Sequence, residues 1–121
     1  MQKMMFLFEQ EEKSNDFQFQ AANYGPFSWR LSSALDSLVA GGLINETRTY
    51  FQNGAEKYEY SLTPSGVGEV REHLQEDAQY GRYLKVMEAI KERYNGMSLG
   101  LLLRLIYSKY PDYAVKSQYE F

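Results

Sequence analysis

The chain has 121 residues, 44% of them hydrophobic and 24% charged, which is the balance of one globular domain with a packed core. It has no cysteine and one histidine, so disulfides, thiolate chemistry and paired-histidine zinc sites are excluded. Residues 1–63 carry 5 Lys+Arg against 8 Asp+Glu and residues 64–121 carry 8 of each, so neither half is the strongly basic block that marks a nucleic-acid binder.

Over residues 1–13, Met4, Met5, Leu7 and Phe8 form an apolar stripe ahead of Glu9, Glu11 and Glu12. The spacing predicts a helix with one buried face and a solvated acidic end. This apolar start lacks a charged n-region and a cleavage site, so no secretory leader is expected. Ser14-Asn15-Asp16 is turn-forming. Phe17 to Gln20 alternates apolar and polar, the period of a short strand, and 21–25 reads as a loop.

Pro26 suits the first position of a helix, which needs no N–H. A helix is therefore predicted over 26–40. Phe27, Leu31, Ala34, Leu35 and Leu38 share one face, and Trp29, Ser32, Ser33 and Asp36 lie opposite. Gly41-Gly42 ends it cheaply. Residues 43–51 are rich in Thr, Ile and Tyr and predict a strand. Asn53-Gly54 is a hairpin signal, and 57–62 is the return strand, with Tyr58, Tyr60 and Leu62 on one face.

Thr63-Pro64 is an N-cap followed by a first-turn proline, and Val67, Val70 and Leu74 line one side of the helix it opens. A further helical period covers 80–94 and stops at Asn95-Gly96. In 98–110, Leu99, Leu101, Leu102, Leu103, Leu105 and Ile106 nearly encircle the helix, which predicts burial that includes a partner. Pro111 terminates it, and 112–121 has no clear period. No apolar run approaches the ~18 residues of a membrane-spanning helix.

The helix exit Gly41-Gly42-Leu43-Ile44, the hairpin, and the return Tyr60-Ser61-Leu62-Thr63-Pro64-Ser65-Gly66 resemble winged-helix regulators of the PadR and MarR kind over residues 17–75. More narrowly, Gln2 to Phe8, Phe17 with Phe19, Tyr24-Gly25-Pro26-Phe27-Ser28, and the end Ile106-Tyr107, Tyr110-Pro111, Tyr113-Ala114 and Lys116-Ser117 look like an uncharacterised prokaryotic family of YwgA type. The Panacea antitoxin domain has a similar Tyr-Gly-Pro segment. The resemblance implies an α+β fold, mainly α: a winged helix-turn-helix with a β-hairpin wing and a C-terminal helical extension. The winged-helix core would occupy 1–79 and the extension 80–121.

It also implies a cytoplasmic DNA-binding regulator that acts by occupying duplex DNA, as a homodimer. The helix over 26–40 would enter the major groove. Ser28, Ser32 and Ser33 would bond phosphates or base edges, and Arg30 alone there could make a bidentate guanine contact. Arg48, Gln52, Asn53 and Lys57 on the wing would reach phosphate. Against this, cations are few and Asp36 faces outward, where it would repel the backbone. The alternative is a non-catalytic protein-interaction module, antitoxin-like or a defence-associated adaptor, using the same helix and Trp29.

Leu99, Leu102, Leu103 and Ile106 are the expected dimer seam. Tyr50, Tyr58 and Tyr60 suit either base stacking or, more commonly, cross-strand pairing. His73, opposite Val67, Val70 and Leu74, is expected in solvent. No phosphate loop, nucleophile–base pair or metal-ligand spacing occurs, so no enzyme activity and no cofactor are expected.

Overall fold

The computed structural model describes residues 1–52 and 56–121. Its elements are α1 (Gln2–Glu12), α2 (Trp29–Ala40), β1 (Ile44–Tyr50), β2 (Glu56–Leu62), α3 (Pro64–Glu76), α4 (Ala78–Tyr94), α5 (Leu99–Lys109) and a 3₁₀ turn, Pro111–Ala114. The fold is α+β and mainly helical, with one two-stranded antiparallel sheet among the described residues. The predicted Asn53-Gly54 turn lies outside those residues. Two compact units form: Met1 with 32–83, and 2–31 with 84–121. They differ from the expected 1–79 and 80–121 blocks, because α1 shares its core with the C-terminal helices.

In the unit of 2–31 and 84–121, Phe6, Leu7, Ile90, Tyr94, Leu102 and Ile106 form the buried cluster. Phe6 is wholly buried and meets Phe19, Tyr110 and Tyr113 edge-on at 4.7 to 5.5 Å between ring centres. Each such pair adds about 0.5–1.5 kcal/mol beyond simple burial. Leu103 and Ile106 are also fully buried and Leu102 nearly so. These three side chains are spent inside their own unit and cannot form the predicted dimer seam. Of that set only Leu99 reaches solvent, at 43% exposure, with Leu101 beside it. The tail, patternless in sequence, is fixed by Gln118 N–H donating to the Asn23 carbonyl at 2.8 Å. Gly100 is small enough to accept Tyr119 against α5; a Cβ there would lie 2.7 Å from its hydroxyl.

Three further expectations change in this unit. Glu9 is not a solvated helix end. It is 3% exposed, and its carboxylate accepts the Phe17 N–H at 2.9 Å. Lys13 takes the left-handed conformation while Ser14 N–H reaches back to the Glu9 carbonyl, so α1 closes in a Schellman-type cap. Phe17 to Gln20 is not a strand. Gln18 has φ 52°, which breaks the extended run, and only Gln20 and Phe27 form a bridge. Phe27 is thereby committed to that bridge, so Pro26 does not open the helix. α2 begins at Trp29, with Ser28 as its cap.

In the unit of 32–83, α2 ends as its glycines require. Leu43 N–H donates to the Leu38 carbonyl, Gly42 N–H to that of Val39, and Gly42 sits at φ 73°. β1 and β2 pair without a bulge from Ile44↔Leu62 to Tyr50↔Glu56. Thr63 caps α3 by accepting the Gly66 N–H at 3.0 Å, while its own hydroxyl donates to the Gly42 carbonyl at 2.6 Å. Gly66 is held to a hydrogen side chain by crowding, since a Cβ there would lie 2.0 Å from the Leu43 carbonyl oxygen. Leu35 is buried, whereas Leu38, predicted on the same helix face, is 38% exposed, and Leu74, on the apolar side of α3, is 41% exposed. Among the described residues no helix is long and apolar enough to cross a membrane.

Candidate nucleic-acid interface

The residues predicted to meet DNA, and Trp29, predicted to meet a protein partner, fall in both units. Ser28, Trp29 and Arg30 belong to the unit of 2–31 and 84–121; Ser32, Ser33, Arg48, Gln52 and Lys57 belong to the other. Asn53 lies outside the described residues.

Ser28 is the clearest correction. It is fully buried and its hydroxyl is doubly used. It accepts the Leu31 N–H at 3.0 Å, which caps α2, and donates to the Phe17 carbonyl at 2.5 Å. The Gln2 side-chain amide also clamps the Ser28 backbone, accepting its N–H at 2.9 Å and donating to its carbonyl at 3.1 Å. Ser28 is a structural cap and offers nothing to phosphate. A Ser between an apolar turn and a helical period is a cap signature, and Pro26 masks it in the sequence. Next to it, Trp29 projects with 68% exposure, and Phe27 lies edge-on against it at 4.9 Å. Arg30 donates to the Asp16 carbonyl at 3.3 Å, an exposed contact to a neutral acceptor.

In the hairpin, residue parity decides what each cation can reach. Arg48 lies opposite Tyr58, on the face that also carries Ile44, Glu46, Tyr50, Tyr60 and Leu62. Lys57 lies opposite Thr49, on the other face. The two cannot track one phosphate strand together. Each is also paired within its own face. Arg48 Nε donates to Glu46 Oε1 at 2.9 Å, and its guanidinium stacks 5.2 Å from the Tyr58 ring centre. Lys57 Nζ lies 3.1 Å from Glu59 Oε1. Tyr58 donates to Glu56, closing a chain of interactions along the face. The Arg48 bond holds the Glu46 carboxyl below the usual carboxylate range. Tyr60 is pushed up to about 12, first by burial and then by its bond to Glu46 and the nearby negative charge, Asp36 included.

Ser33 and Gln52 are exposed and Ser32 is half-buried. The unit of 32–83 carries 4 Lys+Arg against 8 Asp+Glu. Its most exposed large apolar groups are Tyr50, at 66%, and Phe51, at 51%. Phe51 was not singled out by the sequence; an aromatic directly after a strand, beside a hairpin signal, is the cue that would have found it. His73 is exposed, 3.9 Å from Glu69, and stacks loosely on Tyr80.

A cleft of ≈ 280 Å³ lies in the unit of 2–31 and 84–121, floored by Leu7, Val86 and Ile90 and edged by Gln10, Arg93 and Lys109. Its volume falls at the small end of ligand sites. No protein-family model matches the chain, and no curated protein matches its sequence.

Proposed function

We infer that the chain is a non-catalytic protein-interaction module on a winged-helix scaffold. The aromatic outer end of the hairpin, Tyr50, Phe51 and Tyr58, is its contact, and a partner protein with a basic surface is its target. The scaffold reading rests on the order helix, glycine stop, hairpin, capped helix in α2–β1–β2–α3. A cytoplasmic location belongs to the same reading.

The observation that carries it is the charge of the unit holding the hairpin, 4 cationic against 8 anionic side chains. Duplex DNA is bound largely by neutralising phosphates, and such a unit repels them. Arg48 and Lys57 are already matched by Glu46 and Glu59 and face opposite ways. Exposed aromatics at the end of the hairpin, bordered by acidic groups, suit a protein surface that offers cations and apolar area.

The test is fluorescence anisotropy of a labelled random-sequence duplex titrated with the protein at low and then moderate salt. Negligible binding at both is expected. Binding that falls steeply with salt would overturn this reading in favour of the DNA regulator. In a parallel co-purification, Tyr50→Ala with Phe51→Ala should lose a partner that Arg30→Ala retains.

A further inference from the structure

We propose that β1 pairs with β1 of a second copy of this chain, antiparallel about Thr47, to make a continuous four-stranded sheet in the order β2–β1–β1–β2.

The sheet has only two strands, so β1 has one edge without a strand partner among the described residues. β1 is seven residues long and has neither a proline nor a bulge to blunt its edge, and its two charges, Glu46 and Arg48, are of opposite sign. Thr47, Arg48, Thr49 and Tyr50 are exposed. An isolated two-stranded hairpin is marginal in water, and a third strand or a covering layer is what stabilises one. Here five of seven residues in β1 and six of seven in β2 are exposed, so little of that cover comes from the chain itself.

The occupant is identified by the sequence of the strand, Ile44-Asn45-Glu46-Thr47-Arg48-Thr49-Tyr50. With a two-fold axis at Thr47, Glu46 of each copy lies opposite Arg48 of the other, so the pair each chain makes within its own strand at 2.9 Å joins its symmetry mate in a cluster of two anions and two cations. Ile44 meets Tyr50, Asn45 meets Thr49, and Thr47 meets itself. Each is a favourable cross-strand pair, and none places like charges together. Residue parity keeps Glu46, Arg48, Ile44 and Tyr50 on one face in both copies. A shift of the axis to Arg48 or Glu46 would set like charges directly opposite, so the register is specified. β2 is a poorer edge. Its last residue, Leu62, is packed against α3 at Gly66, and an axis at Tyr58 pairs only residues 56–60 among those described. The pairing is isologous and closes as a dimer rather than a fibre.

The experiment uses the full chain. Sedimentation equilibrium should show a mass rising from 14.1 kDa towards twice that with concentration. Glu46→Arg and Arg48→Glu should each shift the midpoint of dimerisation about tenfold or more to higher concentration, since each faces like charge across the axis. Mixing the two variants should restore association as a heterodimer, a rescue that an intramolecular role of the pair does not produce. Because the chain has no cysteine, a second measurement needs no charge change. Thr47→Cys sits opposite itself, at the ~4.5–5.5 Å Cα spacing of paired strands, and should oxidise to a disulfide-linked dimer. In Thr49→Cys the two sulfurs start from Cα atoms about 14 Å apart and should link about tenfold more slowly or less. A wild-type chain that stays at 14.1 kDa throughout, a mixture that fails to associate, or equal cross-linking at 47 and 49 would each overturn the proposal.

Discussion

Replacing Ser28 by alanine separates a cap from a DNA contact. The hydroxyl accepts the Leu31 N–H and donates to the Phe17 carbonyl, and Ser28 is fully buried, so water cannot replace either bond. Loss of an N-cap costs about 1 kcal/mol. A carbonyl left without its donor at a half-buried site costs about 1 kcal/mol more. The sum, about 2 kcal/mol, corresponds to a fall in Tm of roughly 8 °C for a chain of this size. Thermal unfolding followed by circular dichroism at 222 nm reads it directly. Ser33→Ala, on the exposed side of the same helix, is the control and should stay within about 0.5 kcal/mol of the parent. The Gln2 clamp on the Ser28 backbone is untouched by either change, so the difference isolates the hydroxyl. A Ser28→Ala protein melting within about 2 °C of the parent would refute the reasoning.

Gly66→Ala forces a Cβ to 2.0 Å from the Leu43 carbonyl, which is backbone and cannot rotate away. It should cost about 3 kcal/mol or more by urea denaturation, whereas Gly68→Ala, with open space around it, should stabilise α3 by up to about 1 kcal/mol. Lys3 is half-buried, and desolvation lowers its pKa, so its protonated form is disfavoured by folding; Lys3→Met should raise Tm at pH 7, and the gain should vanish as pH rises past the ordinary lysine range. Tyr60 keeps its proton to about 12, above its unfolded value, so its contribution to stability is complete below pH 10 and is lost as pH rises through 12. Absorbance titration at 295 nm should show a late-ionising tyrosine that Tyr60→Phe removes.

Local chemistry placed most elements. The Gly42 stop and the Thr63 cap follow from φ preference and one hydroxyl, and each was legible in two or three consecutive residues. The α1 stripe, the antiparallel hairpin and the turn at Asn95-Gly96 follow from period and turn chemistry in the same way. What failed was long-range. Phe17 to Gln20 alternates like a strand, yet Glu9 and Ser28 claim the Phe17 backbone and Gln18 turns the chain. Pro26 looks like a helix start, yet the bridge at Phe27 delays the helix to Trp29.

The candidate site divides along the same line. By itself the sequence determined that cations are scarce, that disulfides, thiolate chemistry and paired-histidine zinc sites are excluded, and that a helix, a hairpin and a capped helix follow one another. Only tertiary structure decided which groups remain free. It buried Ser28, withdrew Leu102, Leu103 and Ile106 into the core with Phe6, and matched Arg48 and Lys57 to carboxylates on opposite faces. The physical reason is that periodicity fixes which residues share a face, whereas burial and pairing depend on what distant segments bring to that face.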